Sequence, residues 1–231
     1  MLLLLLVTGL AVLYFSWGVL RYDLALNNSC REIFYSTQSK VGANLTKLLK
    51  LNQKAVSLRR AEQLAEASLA LAMSSGNPAA ISAAKISLNS VRTMRRTLDI
   101  HQRYLIDGSN LTLLRGYNQA IRNLRSLHNK LGAPLKPWFL ISLGDFSGKA
   151  PHLAVRPKQN GPAPEYETLP NFREKQALVL NWQWAIRYRD NHLLPSFDSL
   201  TRRGCRISLR KDGDKWAPVA EGDRRSLNFL P

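Results

Sequence analysis

The chain has 231 residues, with 33 Lys and Arg against 16 Asp and Glu, giving a net charge of +17 at pH 7. With 45% hydrophobic residues and only two cysteines, it is neither a disordered chain nor a disulfide-framework miniprotein. The basic excess attracts polyanions, whether nucleic acid, anionic head groups or acidic subunits, without choosing among them.

Residues 1–20 contain no charged side chain, and the first one is Arg21. About twenty apolar residues at roughly 1.5 Å rise give a helix of about 30 Å, the thickness of a bilayer core. The segment therefore predicts a transmembrane helix over 1–20. Its Leu2, Leu5, Leu10, Leu13, Phe15, Trp17 and Leu20 would pack against the lipid bilayer and other spans. A cleaved signal would instead carry a basic start, a shorter apolar core and a small-residue cleavage site. Arg21, Arg31 and Lys40 all follow the run, and Lys and Arg near a span tend to stay cytoplasmic. A leader removed upstream would cancel that bias. The expected location is the inner (plasma) membrane, single-pass, with the body periplasmic or extracellular.

From Arg21 to Met73 there is no proline and one glycine, Gly42. Apolar residues recur at helical spacing through Leu45, Leu48, Leu51, Ala55, Leu58, Ala65, Leu69 and Ala72, so the anchor should continue as one long helix. The run Ser74-Ser75-Gly76-Asn77-Pro78 stops it. Gly76 and Asn77 accept the left-handed C-cap, and Pro78 suits the first turn of a returning helix. That helix, Ala79 to about Ile106, carries Ile81, Ala84, Leu88, Val91, Leu98 and Leu105 on a heptad-like seam, with Arg95 and Gln102 between them. The run Asp107-Gly108-Ser109-Asn110 predicts a break. A third segment, Leu111 to Leu131, repeats the pattern with Leu114, Tyr117, Ile121, Leu124, His128 and Leu131. Residues 21–131 thus form an antiparallel coiled hairpin or a three-helix arrangement.

Pro134 and Pro137 end the helical region. Residues 132–231 read as a small antiparallel β domain. Its candidate strands are Trp138 to Leu143, His152 to Arg156, Ala177 to Arg189, Arg206 to Lys211, Lys215 to Val219 and Ser226 to Leu230. The Asp212-Gly213 pair marks a hairpin turn. Residues 157–171, with four prolines, read as an exposed, variable loop. The fold class is α+β: an N-terminal transmembrane helix, a long coiled hairpin and a small antiparallel β domain.

No catalytic constellation appears, and no enzymatic activity is expected. His101, His128, His152 and His192 are scattered singly, without metal-ligand spacing, and no phosphate-cradling glycine motif occurs. No cofactor or metal is implied. Around Trp182-Gln183-Trp184, alternation puts the aromatic rings on one side of a strand and Arg187 and Arg189 on the other. An aromatic core face with a solvated cationic face explains this better than a base-stacking platform, where rings and cations share a side. Arg187, Arg189, Arg202, Arg203, Arg206 and Arg210 remain the candidate polyanion contacts. Cys30 and Cys205 either form a bridge stapling the last domain to the juxtamembrane helix, in an oxidising compartment, or stand as unrelated thiols.

An apolar N-terminal helix running into a long amphipathic helix, with a compact C-terminal β domain, resembles type IV pilins and pseudopilins. The stretch Cys30 to Leu49, then Leu51-Asn52-Gln53-Lys54-Ala55, Ala61-Glu62-Gln63-Leu64-Ala65 and Gly76-Asn77-Pro78-Ala79-Ala80, is similar to tight-adherence (Tad) pilus-assembly proteins. Where pilins carry a glutamate at the fifth mature residue, this chain has Leu5. The resemblance implies a noncatalytic membrane-anchored subunit of a pilus or secretion apparatus, of the minor pilin or pseudopilin kind. It would assemble through its N-terminal helix with other membrane-anchored pilin-like subunits or envelope proteins. A membrane-tethered binder of nucleic acid or another polyanion is the alternative. A coiled-hairpin envelope adaptor, with a partner at the Gly76-Asn77-Pro78 tip, is a third.

Overall fold

The structure is a computed structural model that describes residues 2–132, 139–188 and 199–220. Helix α1 (Leu2–Ser75) is one unbroken rod of 74 residues, about 110 Å long at 1.5 Å per residue. It ends where Gly76 takes the left-handed conformation, φ 66°. Asn77 then caps helix α2 (Pro78–Gly132). Its side-chain oxygen accepts from the Ala79 amide at 3.0 Å, satisfying a first-turn N–H that has no helical partner.

The helices run back antiparallel, and α2 buries Leu88, Leu98, Gln102 and Leu105 on its inner face. The break expected at Asp107–Asn110 is absent, and α2 continues through it as a single helix. Those polar residues instead make tertiary bonds. Ser109 donates to the Leu105 carbonyl at 2.6 Å and accepts from Asn44 at 3.3 Å. Asn110 accepts from the Leu153 amide at 2.7 Å. Gly108 alone costs a helix about 1 kcal/mol, which these contacts offset. Beyond it the buried positions are Leu113, Gly116, Ala120 and Leu124, while Leu114 faces out. Gly116 lets the helices close up, because a Cβ there would collide with Thr37.

A four-stranded antiparallel sheet in the order β1-β4-β5-β6 leans on this hairpin. Its strands are β1 (Phe139–Lys149), β4 (Leu178–Tyr188), β5 (Ser199–Asp212) and β6 (Lys215–Ala220). The β5–β6 turn uses Gly213 at φ 55°. The expected strand Ser226 to Leu230 lies outside the described residues, as does Trp138. The expected strand His152 to Arg156 forms as the shorter β2 (Val155–Pro157), which pairs with a β3 (Tyr166–Thr168) that the sequence reading does not contain, and the single-turn helix α3 (Phe172–Lys175) is likewise additional.

The core lies between sheet and hairpin, with α1 in the middle. Tyr22, Leu26, Phe34, Val41, Leu45 and Leu48 of α1 meet Leu113 and Leu124 of α2 and Leu180, Trp182, Ile207 and Leu209 of the sheet. Gly42 allows β6 to come close, since a Cβ there would strike the Trp216 carbonyl.

The transmembrane helix expected over 1–20 needs correction. Among the described residues, no helix is long and apolar enough to cross a membrane. Phe15 and Val19 already pack against the protein core. The expected inner-membrane, single-pass placement falls with the transmembrane helix.

Candidate functional site

The N-terminal part of α1 projects past its partner helix. Tyr22 donates its hydroxyl proton to, or accepts one from, His128 Nδ1 at 2.7 Å, and α2 ends at Gly132, one turn on. Ahead of about Gly18, α1 therefore has no helical neighbour among the described residues.

Val7, Val12 and Tyr14 of this projection are exposed, and beside them runs a regular series. Leu3, Leu6, Leu10, Leu13, Trp17 and Leu20 follow one another at alternating steps of three and four, and Leu24 closes the series. All seven are between 50% and 81% exposed. This is the a/d spacing of a helix-packing seam. Leu24 lies two residues from Tyr22, about 200° around the helix, so the seam faces away from the core. Of the residues expected at a packing surface, Leu10, Leu13, Trp17 and Leu20 lie on it. Phe15 lies on the core side. The side chains of Leu2 and Leu5 are outside the described ones.

The base of the projection is pinned by buried polar chemistry. The Asp23 Oδ1 accepts from Trp184 Nε1 at 3.0 Å and Arg203 Nε at 3.0 Å, and Arg203 Nη2 lies 2.8 Å from Oδ2. Burial pushes the Tyr22 phenol well above its ordinary pKa, and the adjacent Asp23 charge adds to this. Two turns on, Cys30 and Cys205 form a disulfide with their Cα atoms 6.2 Å apart, tying α1 to β5.

The candidate polyanion contacts are divided. Arg203 is turned inward onto Asp23. Arg202, Arg206 and Arg210 lie on the exposed side of β5, four residues apart. The Arg187 side chain and all of Arg189 are outside the described residues. Trp182 and Trp184 are buried, which makes their side of the strand a core face and not a stacking platform.

Residues 157–162 of the proline-rich segment are exposed, as expected, but from the Pro162 carbonyl to Tyr166 the segment is held against the hairpin. Arg95 Nη2 donates to the Pro162 carbonyl at 2.6 Å, and Gln102 Nε2 donates to that of Pro164 at 3.0 Å. Asp99 accepts from the Ala163 amide at 3.1 Å. The Asn52 amide pairs with Tyr166 in both directions, at 2.8 and 2.9 Å. Arg59 and Glu165 form an ion pair at 2.6 Å. Sequence reading missed this because the helices recognise backbone, which leaves no residue pattern.

Further along the hairpin, Glu62 bonds Arg92 at 3.1 Å and also Arg95. Burial pushes its carboxyl up, but the two guanidinium groups outweigh this and hold it below its ordinary value. Among the described residues, no group of His, Cys, Asp and Glu could hold a metal ion.

These features define an α+β chain in which a long helical hairpin carries an antiparallel sheet and extends one apolar helix beyond it. No family model, curated protein or solved structure matches the chain.

Proposed function

We propose that the chain is a noncatalytic assembly subunit, of the kind found in pilus-like or secretion apparatus, that joins neighbouring subunits through the projecting part of α1. The observation that carries this reading is the exposed seam from Leu3 to Leu24. Seven large apolar side chains at coiled-coil spacing are far more than scattered surface hydrophobics require. Such a seam is stabilised by a helix packed against it. The buried Asp23 cluster and the Cys30–Cys205 bridge support the reading from behind, because they hold the root of the projection rigidly on the sheet. The test is to place a charge on the seam with Leu10→Glu and Leu13→Glu in cells that express the protein. The variants should fold, since both sites are exposed, but should leave the large complex on a native gradient. Unchanged sedimentation of the complex would refute the reading.

A second reading, binding of nucleic acid or another polyanion, is favoured by Arg202, Arg206 and Arg210 on one side of β5. It predicts affinity that falls steeply with salt, with a slope reduced by about 3 when all three are neutralised.

A further inference from the structure

From the way α1 and α2 hold the segment Gly161 to Tyr166, we infer that the hairpin contains a groove for a peptide that bends at a small residue and then extends, and that the chain's own strap is a displaceable occupant of it. The partner that fits is an acidic segment of the type Pro-Ala-x-Glu-Tyr on another protein.

Four observations lead there. First, the groove reads main chain: Arg95, Asp99, Gln102 and Asn52 all bond backbone atoms of the strap. Recognition of that kind depends on the course of the main chain more than on side-chain identity, so it accepts other segments that can follow the same bend. Second, it has one apolar socket and one charge. Ala163 is 1% exposed against Ala55, Leu58 and Leu98, and Arg59 pairs Glu165 at 2.6 Å. These two features specify a small residue followed by an acidic one.

Third, the resident strap fits imperfectly. Gln102 Oε1 and Arg95 Nε are buried without a hydrogen-bond partner, and Gln102 is fully buried. The strap residue beside Gln102 is Pro164, which has no N–H to offer. Ala163 also sits at φ 47°, in the left-handed region that a residue with a Cβ avoids. An incoming segment with a donor in place of Pro164 satisfies a group that the strap leaves open. Fourth, the strap is closed on itself by a short ladder that can open as a unit: β2 and β3 pair over three positions, Val155–Thr168, Arg156–Glu167 and Pro157–Tyr166, and the Lys158 amide donates to the Glu165 carbonyl at 2.8 Å.

The experiment uses the full chain and a fluorescent peptide of residues 158–168 carrying Pro164→Ala, read by anisotropy. In the chain, Ala163→Asp spoils the strap's anchor and opens the groove. The peptide should bind this variant at least about tenfold more tightly than the wild type, as expected when a competing intramolecular occupant is removed. Adding Asn52→Ala and Arg59→Ala to the variant should abolish the gain. Equal binding to both chains, no binding to a folded Ala163→Asp, or binding that survives the groove substitutions would each overturn the inference. Circular dichroism reports whether Ala163→Asp folds. If it does not, Glu165→Lys replaces it, repelling Arg59 from a position that keeps 19% of its side chain in solvent, and the same three comparisons decide.

Discussion

Reducing the bridge between Cys30 and Cys205 should lower the stability of the folded chain by several kcal/mol. The bridge joins residues 175 apart in sequence, and the chain-entropy model assigns a loop of that length about 5 kcal/mol at 25 °C. Measured bridges more often contribute about 2–4 kcal/mol, because reduced chains keep residual structure. With a guanidinium m-value of about 5 kcal/mol/M for a chain of this size, the unfolding midpoint should fall by roughly 0.4–1 M in reductant. Both cysteines are buried, at 0% and 1% exposure, so reduction should also be slow until denaturant opens the fold. The assay is guanidinium unfolding followed by circular dichroism, with and without a phosphine reductant, and with Cys30→Ala/Cys205→Ala as a control. Coincident curves for the oxidised and reduced chains would refute the reasoning, as would thiols that reduce at once under native conditions.

Gly116→Ala should destabilise the hairpin by about 1–3 kcal/mol through overpacking, and Thr37→Ala should restore most of this in a double-mutant cycle, since Thr37 is what the new Cβ meets. Asp23→Asn should cost about 2–3 kcal/mol, less than a fully buried pair, because Arg203 keeps 28% of its side chain in solvent; thermal melts followed by tryptophan fluorescence would check it. Glu62 has a depressed folded pKa, so its stabilisation is complete above the ordinary value of about 4.5 and is lost as pH falls through the lower folded value. Protection factors of the α1 and α2 amides near Glu62, which are corrected for the slower intrinsic exchange in acid, should therefore fall as pH drops through that range, and Glu62→Gln should flatten that response.

The hairpin was legible in the sequence because its signals are local. Helical spacing through Leu45, Leu48 and Leu98, with the capping chemistry of Gly76, Asn77 and Pro78, depends on nothing distant. The Asp107–Asn110 run misled for the opposite reason: Ser109 and Asn110 are turn formers by propensity, but their side chains bond Asn44 and Leu153 across the fold. Charge content made residues 1–20 look like a membrane span, yet charge says nothing about Phe15 and Val19 turning into the core. The seam itself was hidden by its surroundings. When nearly every neighbour is apolar, a three-and-four repeat shows up only once the folded body has claimed the other side of the helix. The cysteine pairing is not legible in the sequence for a related reason, since only the approach of β5 to α1 brings the two residues together.

Site-specific photo-crosslinking of the full chain in its own cells tests the assembly role most directly. A photoreactive residue would be placed at Leu6 or Leu13 on the seam, and for comparison at Leu71 near the hairpin turn and Tyr104 on α2, which are equally exposed apolar positions. Adducts of one defined mass from the two seam positions, and none from Leu71 or Tyr104, are the expected result. Adducts from Leu71 alone, with the seam silent, would contradict assembly through α1 and point to a partner at the hairpin tip.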